Sequence, residues 1–478
     1  MRWEDLVGID LDARESAIRK RVYDEADFWA TAPEDSESVI ATYFLRSREG
    51  SLADAGKSIS YHMTTGVKSA PAGSLLDRCT GKVVGVRAWD SLGKLGLIRV
   101  AFPTKLLQHA DGKYYTSDFL HLLGGEGVFG LWGFAEAKLV DVKIPANVLS
   151  TFPGPAYGSE GVRSLTSWPE GEPAFGTILK PTAGITDDEV AALVEGVAGE
   201  PLFIFIKEDE NLIPDLDYCP IVSRTRKALA AIERVRGGRG GRGLIYAPHV
   251  TSPPHLFRDT VLQVLETGVN GIMFSEQYTG GAVRAVREWT KDSGRPPVIY
   301  GHNGGISCRT NSIWREVLDF FGRLDGIDFR QTALLTPAQP LLRPQGLEWR
   351  KCEEALTKPA GHIKPVMISR AGGLDQGNLI LNLMDAAEHL PKGSVLYLAG
   401  SAINSYKGSN GKPDSRLGAQ AMREALDLWR AGEAPDGIQN LQAHVQALYS
   451  VASSKKLHAL MGALEQRYGL SELSKAGA

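Results

Sequence analysis

Eight short apolar runs recur from residue 175 onward, and their regular return constrains the fold more than any other feature of the chain. They are Phe175–Leu179, Leu202–Ile206, Gly243–Ala247, Gly271–Phe274, Pro297–Tyr300, Gly326–Phe329, Pro365–Ser369 and Ser394–Leu398. Their starts lie 26 to 41 residues apart, which leaves room for a strand, a helix and two loops each time. Parallel strands buried on both faces read as continuous apolar runs rather than alternating ones. The segments between them are helical in pattern. Thr186-Asp-Asp-Glu189 has capping-box spacing ahead of an apolar stretch, and Ile313–Phe321 is a second helical segment. Eight strands alternating with helices predict a (β/α)8 barrel over residues 173–435. A doubly wound open sheet is the competing fold. The count of eight weighs against it, and so does the lack of Gly-x-Gly-x-x-Gly after the first run.

Residues 1–150 have a different texture. Strand-like segments such as Ser38–Leu45 and Gly81–Arg87 are spaced irregularly, with helix-like pieces between them. This predicts an N-terminal α+β domain. Pro153-Gly154-Pro155 and the glycine-rich stretch after it predict a linker over 151–172, and 436–478 reads as closing helices. With 43% hydrophobic and 23% charged residues and a net charge of −3, the composition is that of an ordinary globular protein. Nothing in it advertises nucleic acid or a membrane as partner. Arg234–Gly243 alternates arginine and glycine, a pattern that can bind RNA. It is one short loop without an aromatic residue, and it reads as a helix-to-strand connection. Cys79, Cys219, Cys308 and Cys352 are widely spaced, as reduced cytoplasmic thiols are. The charged N-terminus lacks a signal-peptide core.

Barrel enzymes place their chemistry at the carboxyl ends of the strands. Here those ends carry Lys180, then Lys207, Asp209 and Glu210, then His249, Ser275-Glu276, His302-Asn303, Arg330-Gln331, Arg370 and Ser401. One polar residue after a strand is ordinary solvation; eight in succession predict a functional cluster. Lys207-Glu208-Asp209-Glu210 sets carboxylates at the end of a buried strand, the hard oxygen ligands that Mg2+ prefers. The lysine fits there as a base, or as a group itself converted to an oxygen ligand. Gly372-Gly373 and Gly400-Ser401 follow the last two strands. Barrels often bind phosphate there on backbone N–H groups, because glycine lets an anion approach the main chain. A phosphorylated small molecule is the expected substrate class, with Arg370 at the same end.

These residues resemble the large-subunit family of ribulose-bisphosphate carboxylase (RuBisCO), and specifically its RuBisCO-like proteins. Gly176-Thr-Ile-Leu-Lys180-Pro-Thr-Ala-Gly184 is similar to the family's first-strand signature, whose lysine is a catalytic base or acid. Lys207-Glu-Asp-Glu-Asn211 is similar to its metal motif, in which CO2 carbamylates the lysine and Mg2+ binds beside the two acids. His302 matches the strand-five histidine, and the two glycine pairs match the phosphate loops. Gly127-Val-Phe-Gly130 resembles the segment that a neighbouring subunit contributes. The resemblance implies a ferredoxin-like N-terminal domain, one Mg2+ per site and a homodimer or larger homo-oligomer with shared active sites.

The departures are equally informative. His62 stands where the carboxylases carry a catalytic glutamate, Gly127 replaces an asparagine and Thr182 a second lysine. Asn303 replaces an arginine and Gln331 a histidine, and no lysine lies between Thr332 and Trp349 to hold CO2. What survives is the enolisation half of the family's chemistry: a Mg2+-stabilised enediolate made from a phosphorylated sugar derivative, with Lys180, Lys207 and His302 as catalytic groups. His62, His249, Asn303 and Gln331 are expected to bind substrate. The family offers two such activities. One decarboxylates, or transfers and hydrolyses a carboxyl group of, 3-oxo sugar-acid phosphates of the 3-oxo-isoapionate 4-phosphate type. The other is an enolase or isomerase of methionine salvage. Polar residues at His62, His249 and Asn303 suit the first, because a methylthio tail needs an apolar pocket. A non-catalytic regulatory relative has no reason to keep charged groups at buried strand ends.

Overall fold

The computed structural model describes residues 11–31, 35–130, 133–237, 243–279, 281–334, 346–436 and 440–470. They fall into two compact units. The first comprises the described residues of 1–154, 305–326 and 345–363, and the second those of 155–304, 327–344 and 364–478.

The first unit holds four antiparallel strands, β1 (Ser38–Ser47), β2 (Lys82–Ala88), β3 (Leu95–Pro103) and β4 (Phe134–Lys143), in the order β2-β3-β1-β4. A helix, Leu52–His62, lies between β1 and β2, and another, Thr116–Leu123, between β3 and β4. That is the ferredoxin-like chain order expected for this region. β1 is central and buried on both faces because its side chains alternate between two cores. Val39, Ala41, Tyr43 and Leu45 enter one, and Phe44 enters the other with Trp314 and Phe28. The helices Arg315–Asp325 and Gly346–Thr357 also belong to this unit.

The second unit is the barrel. Its strands are β5 (Ala174–Ile178), β6 (Phe203–Lys207), β7 (Ile245–Ala247), β8 (Gly271–Phe274), β9 (Val298–Gly301), β10 (Phe329–Thr332), β11 (Met367–Arg370) and β12 (Val395–Ala399). All pairings are parallel, in the order β7-β6-β5-β12-β11-β10-β9-β8. The two ends of that row meet. The Met273 N–H donates to the Pro248 carbonyl and the Val250 N–H to the Met273 carbonyl, each at 2.9 Å. Residues 151–172 include a helix, Gly158–Thr166, and the helices Leu441–Ser454 and His458–Tyr468 close the chain. Among the described residues, no helix is long and apolar enough to cross a membrane. The middle of the arginine–glycine run, 238–242, lies outside the described residues.

The barrel is filled rather than hollow. Phe205 stacks on Tyr300 with ring centroids 5.4 Å apart and meets Phe329 at 4.7 Å. Gly176 on β5 leaves the room this needs: a Cβ there would lie 2.7 Å from the Phe205 carbonyl oxygen and 2.9 Å from Leu398 Cδ1.

The end of β6 is fixed by a buried ion pair outside the interior. Glu208 receives Arg224 Nε at 2.8 Å and Nη2 at 2.9 Å, from the helix Ile221–Arg236. The Tyr246 hydroxyl and the His249 backbone N–H complete its shell, at 2.8 and 2.9 Å. Arg224 also donates to the carbonyls of Ile213, Pro214 and Cys219, which fastens the loop after β6.

Two stability outcomes follow. Gly176→Ala overpacks the interior and should cost about 1–3 kcal/mol. Arg224→Ala strands a buried carboxylate and should cost about 3–5 kcal/mol. Urea midpoints of the full chain measure both, and a wild-type midpoint for either variant contradicts the packing described here.

Candidate active site

Alternation along each strand decides which strand-end residues enter the barrel. The interior cluster contains Ala174, Phe205, Ile245, Ala247, Met273, Tyr300, Phe329, Met367, Ala371 and Leu398. Carried toward the carboxyl ends, the same parity selects Lys180, Lys207, Asp209, His249, His302, Gln331 and Gly400. Glu208, Arg330 and Arg370 have the opposite parity.

The contacts of the first set agree with this. Lys207 is fully buried. Its Nζ donates to the Glu208 carbonyl at 3.1 Å, lies 3.6 Å from Glu210 Oε2 and stands 5.6 Å above the Tyr300 ring. Burial lowers its pKa, against the opposing pull of Glu210 and Asp209. Lys180 Nζ bonds Asp209 Oδ2 while keeping about a third of its side chain exposed. The other oxygen of Asp209 accepts the backbone N–H and side-chain amide of Asn211, both at 3.0 Å. Burial pushes the Glu210 carboxyl up, but Lys207, a backbone hydrogen bond and Lys180 outweigh it, so it lies below the ordinary value.

His302 joins the same group through Nε2, 3.3 Å from Glu210 Oε2. Its Nδ1 accepts the Gly304 N–H at 3.1 Å. A nitrogen that accepts a backbone N–H carries no proton, so Nε2 bears it and points at the carboxylate. Burial, then Lys207 and His249, hold this imidazole well below its ordinary pKa. Gln331 is tied to the floor: the Tyr300 hydroxyl oxygen lies 3.0 Å from both Gln331 Oε1 and Ser369 Oγ. Gly400 brings β12 beside Lys180, whose Cε would lie 3.5 Å from a Cβ at that position.

Other predicted residues are placed differently. Arg370 is not brought to this set. Its guanidinium is buried, donates to the Asn382 carbonyl at 3.2 Å and pairs with Asp385 at 2.7 Å, both on the helix Leu379–His389. Arg330 likewise pairs with Glu276 and donates to the Gly301 carbonyl. Gly372 and Gly373 both adopt left-handed φ, 85° and 92°, which explains glycine at each. Gly373 is pinned by Asn378, whose amide donates to its carbonyl at 2.8 Å. Ser401 opens the short helix Ser401–Asn404, and Asn303 follows His302 half-buried. His62 ends the helix Leu52–His62 of the first unit, its ring edge-on to Tyr61. Sequence reasoning missed Tyr300, Ser369 and the Glu208–Arg224 pair. Strand parity was the available signal for all of them.

Among the described residues, no three His, Cys, Asp or Glu side chains gather as metal ligands. The donor set at the end of β6 is two carboxylates, Asp209 and Glu210, around a lysine. That set fits a hard divalent cation when Lys207 carries a carbamate, which supplies the third oxygen ligand. Unmodified, the ammonium groups of Lys180 and Lys207 supply the positive charge beside those carboxylates.

No protein-family model matches the chain. Ribulose bisphosphate carboxylase of Archaeoglobus fulgidus is 26% identical over 417 residues, 82% of this chain and 89% of the relative. The 3-oxo-isoapionate-4-phosphate transcarboxylase/hydrolase of Xanthobacter autotrophicus is 34% identical over 179 residues, 37% of this chain and 41% of that protein. The fold superposes on the octameric RuBisCO of Pyrococcus horikoshii with a TM-score of 0.76, at 21% identity, covering 92% of this chain and 97% of that one. The chain is therefore similar in sequence to RuBisCOs and RuBisCO-like proteins, and it has the RuBisCO fold.

Proposed function

We propose that the barrel mouth is the active site of a Mg2+-dependent enolate-forming enzyme acting on a phosphorylated sugar derivative. Its favoured reaction is decarboxylation, or carboxyl transfer and hydrolysis, of a 3-oxo sugar-acid phosphate of the 3-oxo-isoapionate 4-phosphate type. The observation that carries the reading is the inward placement of Lys207 and Asp209 with Lys180, Glu210 and His302 in contact around them. Relatives with that substrate in their names support the choice of acid. The polar lining by His249, His302 and Gln331 favours it over a methylthio sugar of methionine salvage. The absence of lysine between Thr332 and Trp349 argues against ribulose-bisphosphate carboxylation.

Lys207, as its CO2 carbamate, would hold Mg2+ with Asp209 and Glu210. When bound there the ion supplies a Lewis acid for a substrate oxygen. The chain's own groups do the rest. Loss of CO2 from a 3-oxo acid leaves an electron pair on the carbon beside the carbonyl. Lys180, partly exposed and held by Asp209, stands as the acid that delivers a proton to that carbon. His302 keeps its Nε2–H on Glu210 and so holds that carboxylate in place. The backbone N–H groups at Gly372-Gly373 and Gly400-Ser401 receive the phosphate.

Incubation with 3-oxo-isoapionate 4-phosphate, Mg2+ and bicarbonate in deuterated water should release the carboxyl group and place deuterium beside the carbonyl, followed by NMR. Lys207→Ala and chelation by EDTA should each reduce turnover at least about a thousandfold. Turnover that survives both refutes the metal site. For assembly, the proposal is a homodimer or larger homo-oligomer, by likeness to the octameric relative. Light scattering should give at least twice the 51.7 kDa chain mass; a monomer contradicts it.

A further inference from the structure

His249 stands where β7 opens into the mouth of the barrel. Ile245 and Ala247 belong to the interior cluster, and residue 249 keeps their parity. The side chain is almost wholly buried, 2% exposed. Its position is set on both sides. The backbone N–H donates to Glu208 Oε2 at 2.9 Å, and ring Nδ1 lies 3.1 Å from the Leu212 carbonyl oxygen. Leu212 itself sits in the loop that Arg224 fastens.

A carbonyl oxygen can only accept, so Nδ1 carries the ring proton. Burial holds the imidazole below its ordinary pKa, which keeps the ring neutral and leaves a lone pair on Nε2. That nitrogen is buried and has no hydrogen-bond partner in the protein. Buried polar atoms are nearly always paired, so this position calls for a donor from outside the chain. Carboxylates and phosphates have no proton to give. An ammonium group buried against a neutral ring would gain no countercharge from it. A hydroxyl group is the donor that fits.

We propose that His249 Nε2 accepts a hydrogen bond from a substrate hydroxyl and thereby selects a hydroxylated carbon chain over its deoxy counterpart. The inference rests on the reading above only in placing the substrate at the barrel mouth. It assigns His249 to specificity and gives it no share in the bond-breaking step.

The test uses the full chain with Mg2+ and bicarbonate. Erythronate 4-phosphate and its 2-deoxy and 3-deoxy analogues are titrated by calorimetry. Wild type should bind the hydroxylated probe about tenfold more tightly than one of the two analogues. His249→Asn keeps a donor near the Nδ1 position but has nothing at Nε2, and should lose that preference. His249→Gln reaches the Nε2 position with an amide oxygen and should restore part of it. Melting temperatures of both variants check that the fold persists. A preference unchanged in His249→Asn overturns the proposal. So does a wild type that fails to distinguish the probes, because a water then occupies the nitrogen. Turnover of 3-oxo-isoapionate 4-phosphate, assayed separately, tells the two readings apart. Absent turnover with a His249-dependent preference sinks only the decarboxylase. Intact turnover with a His249-independent preference sinks only this inference.

Discussion

The contact between Glu208 and Arg224 is the one on which the barrel mouth depends. Four ionisable residues, Lys207 to Glu210, follow one another from the end of β6, and before the turn at Glu210 an extended backbone can send only alternate ones inward. Arg224, on the next helix, takes Glu208 to the outside with two hydrogen bonds. Lys207 and Asp209 are thereby committed to the inside. Removing two charges from water is expensive, and such a pair is weak evidence for stability by itself. This one is saturated instead. Glu208 accepts four hydrogen bonds, and Arg224 spends the rest of its fork on loop carbonyls. Its benefit is register. A slip of one residue would put Glu208 into the barrel and Lys207 against Arg224.

The same contact reaches the neighbouring strand. Glu208 binds the Tyr246 hydroxyl and the His249 N–H, so the ends of β6 and β7 are set together. Lys207 and His249 then have fixed relative positions without touching a common ligand. This is how a barrel holds groups at its mouth on rigid strands while its loops vary.

The strands were legible because buried parallel strands need unbroken apolar runs. No strand starts more than three residues from its run, and the capping box at Thr186 forms as read. The candidate site was legible at Lys180, Lys207, Asp209, Glu210 and His302, which meet one another. It was misread where strand ends were treated as one set without regard to parity. Arg370 ends its strand as Lys207 does, but it belongs to the outward phase and finds Asp385. A strand end gives position along the barrel axis; only alternation gives direction. The helix in 151–172 was hidden by the prolines and glycines around it, because Gly158–Thr166 is short and starts at a glycine with φ of 63°.

Gln331 shows that a polar residue at a strand end can be built into the core. Its amide oxygen shares the Tyr300 hydroxyl with Ser369. Tyr300 in turn stacks on Phe205 and Phe329, beneath Lys207. Burial raises the Tyr300 pKa, so its hydroxyl stays protonated and has a proton to share. A neutral acceptor at 331 satisfies that donor at no cost in buried charge. A cation there would lie over the same floor as the ammonium of an unmodified Lys207 and repel it. The strand-six end is thus suited to a neutral polar group.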